Sequence, residues 1–134
     1  MDTMRIAVPS ETPEGLTSRR SEHFGHCKMF TLVDICKNKI IKVQHVENEV
    51  RGNCIQPVKL LSDHKVNSLI VSGIGARPLA GFAREGIAVF FAPGHPYEDV
   101  NSLMEAMMRQ ELSQMNPEQA CSGHGNCQVK PSGK

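Results

Sequence analysis

Residues 68–78 read Ser68-Leu69-Ile70-Val71-Ser72-Gly73-Ile74-Gly75-Ala76-Arg77-Pro78, and this stretch decides the fold. Its first part is a short apolar run, the signature of a strand buried on both faces. Two glycines follow, then Pro78, which a helix tolerates in its first turn because the N–H there has no intrahelical partner. Leu79, Phe82 and Ala83 share one helical face, and Gly86 supplies a C-terminal stop. The next apolar run, Ile87-Ala88-Val89-Phe90-Phe91, is a second strand, so the region reads as strand, tight turn, helix, strand.

Working outward, Pro96 is predicted to open a final helix, with Glu98 and Asp99 in its positive first turn and Val100, Leu103, Met104 and Met107 at helical spacing. Upstream, Asn53 is a good N-cap for a helix over roughly 54–65, with Pro57 in or near its first turn. Further upstream lie three strands. Residues 4–8 form the first, ended by Pro9, and Met29–Ile35 is apolar on both faces and central. Ile40–Val46 pairs with that run as a hairpin through the Lys37-Asn38-Lys39 turn. Residues 9–27 form a long loop, and loops of that length are usually functional or mobile. The order β-β-β-α-β-α-β-α predicts a three-layer α/β/α domain on a mixed five-stranded sheet, spanning residues 1–116. After Asn116-Pro117 the composition turns to Ser, Gly, Gln and Lys, so 117–134 is expected to be a flexible tail containing Cys and His. Ligands in such sheets sit beyond the carboxyl ends of the strands.

The 134 residues suit one domain. Fifteen basic and fourteen acidic residues leave a formal charge of +1, which excludes the basic excess expected of a protein drawn to nucleic acid or anionic membrane. No apolar run is long enough to span a bilayer, and the first residues lack the h-region of a signal peptide. A cytoplasmic location, where thiols stay reduced, is therefore expected. Five cysteines, an odd number, cannot all pair internally. In a reducing compartment, clustered Cys and His point to metal or redox chemistry.

Three candidate sites stand out, two of them Cys/His clusters. Ser21-Glu22-His23-Phe24-Gly25-His26-Cys27 places three potential ligands within five residues, and imidazole with thiolate suits iron in a sulfide cluster, copper or zinc. The competing reading has His23 capping a turn, His26 solvated and Cys27 packed beside the next strand. Cys121-Ser122-Gly123-His124-Gly125-Asn126-Cys127 has C-x2-H-x2-C spacing, so three ligands can wrap one ion. A structural zinc site wants a fourth ligand, and the other reading is a tail that merely scavenges metal. In the third, Gly73 and Gly75 expose backbone N–H groups at a positive helix end and Arg77 adds a charged fork, a cradle for an anion. A dinucleotide fingerprint needs a third glycine and an acidic residue about 20 positions on; Gly81 is misplaced for that and the long first helix of such a unit is absent, and glycine there can also serve geometry alone. Cys54, at a predicted helix start, is a further possible ligand or a small packing residue. The stripe Met104, Met107, Met108 and Met115 reads as core filler or an adaptable surface.

Met4–Ser10, His23-Phe24-Gly25 before a strand, Gly73-Ile74-Gly75 in the βα turn and Gly86-Ile87-Ala88-Val89 together resemble the dinitrogenase iron–molybdenum cofactor biosynthesis domain over about residues 4–112. The resemblance implies a ribonuclease H-like fold and transient binding of a metal–sulfur cluster, iron–sulfur, molybdenum-containing or molybdenum–copper, without catalysis. It makes His23, in the His-Phe-Gly position, the preferred cluster contact. His26, Cys27 and the Cys121, His124 and Cys127 tail go beyond the shared pattern. Such a carrier, monomer or weak homodimer, would meet cluster-assembly or cluster-accepting proteins. The alternative is a zinc-binding interaction protein using the tail. A ribonuclease H-type nuclease would need a set of carboxylates around two metals, which Asp34, Asp63 and Asp99 do not recognisably form. Nucleophilic catalysis by Cys27 lacks an identifiable orienting group.

Overall fold

A computed structural model of the chain describes residues 3–21, 24, 27–48, 56–94 and 97–115. The strands are β1 (Thr3–Ser10), β2 (Met29–Cys36), β3 (Lys39–Glu47), β4 (Ser68–Val71), β5 (Ala88–Phe91) and β6 (Ser113–Gln114). They form one sheet in the order β3-β2-β1-β4-β5-β6. β1, β4 and β5 run parallel, while β2, β3 and β6 pair antiparallel with their neighbours. The helices are α1 (Gln56–Asp63), α2 (Ala76–Arg84) and α3 (Val100–Met108).

The alternation of side chains along the central strands splits the core in two. Ala7, Leu32, Leu69 and Val89 face α1 and α2, packing with Leu61, Leu79 and Phe82. Ile6, Val8, Val33 and Ile70 face the other way, against Val100, Leu103 and Met104 of α3. Each helix ends in the same double hydrogen bond. Lys65, Gly86 and Gln110 adopt left-handed φ values of 59°, 78° and 59°. Their N–H groups donate to Ser62, Ala83 and Met107, and the N–H groups of Val66, Ile87 and Glu111 reach back to Leu61, Phe82 and Ala106. The stop expected at Gly86 is thus present, and two non-glycine residues make the same turn at some conformational cost.

Among the described residues the sheet has six strands, not the five expected. β6 is two exposed polar residues whose pairing with Phe90 and Phe91 leaves no hydrophobic pattern to read. Pro9 does not end β1. Its carbonyl accepts from Ser21, on the side away from β2, so the missing N–H also faces away from β2 and removes no bond to it. The hairpin turn is the two-residue Lys37–Asn38, with φ of 53° and 63°. A bulge at Ile41 lets Ile40 pair with Ile35 and Lys42 with Asp34. α3 begins at Val100, because the Asp99 carboxylate accepts the Ser102 N–H at 2.9 Å as an N-cap. Asn53, Cys54 and Pro96 lie outside the described residues, as does the expected start of the tail at 117. Met104 is buried and Met107 and Met108 are half-buried under α3, whereas Met115 belongs to the opposite core, its N–H bonded to Val89. Among the described residues, no helix is long and apolar enough to cross a membrane.

Candidate functional site

The carboxyl ends of β1, β4 and β5 share one pole of the sheet. β4 pairs with β1 only at Ile6–Ser68 and Ala7–Leu69. Beyond that point residues 18–21 occupy the space beside β1. The N–H of Ser21 donates to the Pro9 carbonyl at 2.7 Å, and that of Glu11 to the Arg19 carbonyl at 2.9 Å. On its other side the same segment receives the Val100 N–H at the Ser18 carbonyl and donates from Arg20 to Glu98, both at 3.1 Å. The stretch read as a long loop is therefore strand-like at residues 18–21, tied to the end of β1 and to the start of α3. Ser10 and Thr31 add a buried hydroxyl pair at 2.7 Å beneath it.

Arg20, which sequence reasoning missed, is 4% exposed. Its Nη1 donates to the carbonyls of Pro93 at 2.8 Å and Tyr97 at 3.2 Å. Nothing local marks it, since Arg19 beside it is exposed.

The Gly73–Arg77 turn follows β4 directly. Gly75, itself in a β-bridge, is the N-cap of α2 and has no side chain to cap that end, and no acidic residue stands in the first turn. The helix dipole and first-turn N–H groups therefore meet no carboxylate from within the helix. A Cβ at Gly73 would meet no atom within 4 Å, so the backbone there borders open space. Arg77 is exposed beside it. The structure thus brings Gly73, Gly75 and Arg77 into one turn at the expected pole, and this arrangement can donate main-chain N–H groups and one positive charge to an anion.

His23 and His26 lie outside the described residues, whereas Phe24 and Cys27 are described. Phe24, between His23 and Gly25, is buried against Phe30 and Phe82, with ring centroids 5.9 Å and 5.6 Å away. Cys27 is fully buried in the same core. Its Sγ donates to the Phe24 carbonyl at 3.3 Å, and Asn48 Nδ2 donates to the Cys27 carbonyl at 2.9 Å. Burial pushes the thiol pKa up to about 12, so at neutral pH it is a protonated packing group and not a presented thiolate. Of the two readings of Cys27, its position in this state matches the packed one. Cys121, His124 and Cys127 also lie outside the described residues. Among the described residues no group of three or more His, Cys, Asp or Glu is placed to hold a metal ion.

Asp34, Asp63 and Asp99 serve separate purposes. Asp34 accepts Arg5 Nε at 2.8 Å and Nη2 at 3.0 Å, which holds its carboxyl below the usual range. Asp63 faces Lys59 at the surface, and Asp99 caps α3.

The family model for the dinitrogenase iron-molybdenum cofactor matches residues 3–110. An uncharacterised protein of Methanocaldococcus jannaschii is 33% identical over 93 residues, covering 66% of this chain and 75% of that one. The crystal structure of PH0822 aligns with a TM-score of 0.70 and 28% identity over 84% of this chain and 96% of the other. The apo orange protein from Desulfovibrio gigas aligns with a TM-score of 0.74 and 20% identity, over 84% and 92% of the two chains, a likeness of fold. The chain belongs to the dinitrogenase iron-molybdenum cofactor family.

Proposed function

We propose that this protein is a non-catalytic carrier or scaffold for an anionic metal–sulfur cluster, of iron–molybdenum or molybdenum–copper type, or for its precursor. The observation that carries the reading is the Gly73–Arg77 turn after β4, where Gly73 borders open space, α2 carries no acidic residue in its first turn and Arg77 is exposed. Family membership supplies the class of cargo. Main-chain N–H groups at Gly73 and Gly75 would donate to cluster sulfides, and Arg77 would add charge. His23, with His26, would coordinate metal through imidazole nitrogen. Cys27 would act as the anchor that holds the His-bearing segment to the core.

A site made of one exposed turn and a histidine segment binds weakly enough for the cargo to leave, as a carrier requires. The natural partners would be cluster-assembly or cluster-accepting proteins. The test is anaerobic incubation with iron, sulfide and tetrathiomolybdate, followed by visible spectra and metal analysis. Wild-type protein should retain metal and a charge-transfer band after desalting, and the His23→Ala/His26→Ala variant should lose most of both. Equal uptake by the two proteins would overturn the assignment of the site.

A further inference from the structure

β3 and β6 form the two edges of the sheet. β6 is two residues long, too short a template for another chain. β3 runs for nine residues, Lys39–Glu47, and among the described residues β2 is its one partner. Its two halves differ. Toward the turn, Lys39 and Lys42 are exposed and the bulge at Ile41 interrupts the ladder, two devices that keep other strands away. From Lys42 onward the register with β2 is regular, and Val43, Gln44, His45 and Val46 carry no formal charge at pH 7. The N–H of Asn48 donates to the Lys28 carbonyl at 3.0 Å. By strand alternation Lys42, Gln44 and Val46 also turn their main-chain groups to β2, while Val43, His45 and Glu47 turn theirs to the open side. Ile41, next to this stretch, is 58% exposed despite being apolar.

The charges of β3 select what can cover this edge. Lysines lie at one end and Glu47 at the other. A second β3 laid antiparallel sets each basic end beside the acidic end of its counterpart, whereas a parallel one would stack lysine on lysine. A net charge of +1 also leaves two copies little long-range repulsion. We propose that the chain self-associates through β3, two copies pairing antiparallel about a two-fold axis at His45 so that their sheets become one. This inference stands apart from the carrier reading. Val43 of each copy meets Glu47 of the other and His45 meets its own counterpart. That register uses all three outward residues, each pair exchanging both of its N–H···O bonds. Lys42 then lies opposite Asn48, and no two lysines face each other. Because the strands are antiparallel, the Gly73–Arg77 turns of the two copies point in opposite directions. β4 is separated from the seam by β2 and β1, so both turns stay open.

The experiment is sedimentation equilibrium of the full chain at rising concentration, with reductant and chelator present so that neither disulfides nor shared metal ions link the copies. Wild type should pass from monomer to dimer. Hydrogen exchange at the N–H groups of Val43, His45 and Glu47 should slow as it does, whereas those of Gln44 and Val46 should be slow throughout. His45→Pro deletes an outward N–H and no bond to β2, and His45→Glu sets two carboxylates across the axis with the main chain intact. Each should weaken self-association by about tenfold or more and leave the far-UV spectrum that of wild type. A wild type that stays monomeric at every concentration overturns the inference. So does a dimer that either folded variant leaves intact, or one in which the Val43, His45 and Glu47 amides exchange as they do in the monomer. Should His45→Pro fail to fold, His45→Glu decides.

Discussion

Thiol chemistry at Cys27 offers the sharpest check on how the His-bearing segment is built. Cys27 has no exposed surface and its pKa is pushed up to about 12 by burial. An ordinary thiol, with a pKa near 8.5, is roughly a quarter ionised at pH 8, whereas Cys27 would be ionised in about one molecule in ten thousand. Ionisation alone therefore slows alkylation by about three orders of magnitude relative to an ordinary thiol, and restricted access slows it further. In native protein treated with iodoacetamide and mapped by mass spectrometry, half-exposed Cys36 should be labelled first and Cys27 only on unfolding. The raised pKa also makes a statement about stability. Below the unfolded-state pKa of about 9 the protonated thiol contributes fully, and the contribution is lost as pH rises from there through about 12. Three pKa units set an upper bound of about 4 kcal/mol on that loss. Cys27→Ala should remove the alkaline limb at a cost of about 1–2 kcal/mol at neutral pH, from a small cavity and lost polar contacts. Labelling of native Cys27 as fast as Cys36, or a thiol that only added cluster protects, would refute the anchor and return Cys27 to the ligand set.

Two further outcomes follow from the frame around the site. Gln110 holds a φ of 59° at the end of α3, so Gln110→Gly should raise stability by about 0.5–1 kcal/mol and the thermal midpoint by a few degrees; an unchanged or lower midpoint would show that the left-handed turn is not strained. Asp34→Asn strips the carboxylate from Arg5 in a largely buried pair and should cost about 2–3 kcal/mol at pH 7. Because Arg5 lowers the Asp34 pKa, that contribution is present above the ordinary carboxylate value of about 3.9 and is lost as pH falls through the lower folded value. Denaturant midpoints followed downward from about pH 6 should then converge for the two proteins, and a gap that persists at the acid end would refute the pairing as its source.

What could be read from the chain depended on how far apart the deciding contacts lie. The βα turn at Gly73–Arg77 was legible because strand, glycines and first-turn proline lie within eleven consecutive residues, and turn chemistry is local. The buried strands were legible from apolar runs, as with β2, of which only Cys36 is not buried. Pro9 misled because its permitted place in β1 depends on Ser21 coming to that edge from elsewhere. β6 was invisible because Ser113 and Gln114 are in the sheet only by pairing with β5. Cys27 showed its ligand type in the sequence, but its burial comes from packing in the core with Phe24 and the α1–α2 layer.

Arg20 is the extreme case, since the carbonyls it engages lie 73 and 77 residues away. The pole is closed mainly by main-chain groups: Pro9 to Ser21, Arg19 to Glu11, Arg20 to Glu98 and Ser18 to Val100. Backbone pairing of this kind places few demands on side-chain identity, so it leaves little pattern in the sequence. It also suits the proposed task. Sulfide and oxo anions are held well by N–H groups that cannot ionise and need not reorganise. A carrier assembled this way would keep coordination chemistry to the few residues around His23. The fold would supply the anion preference that the near-neutral surface lacks.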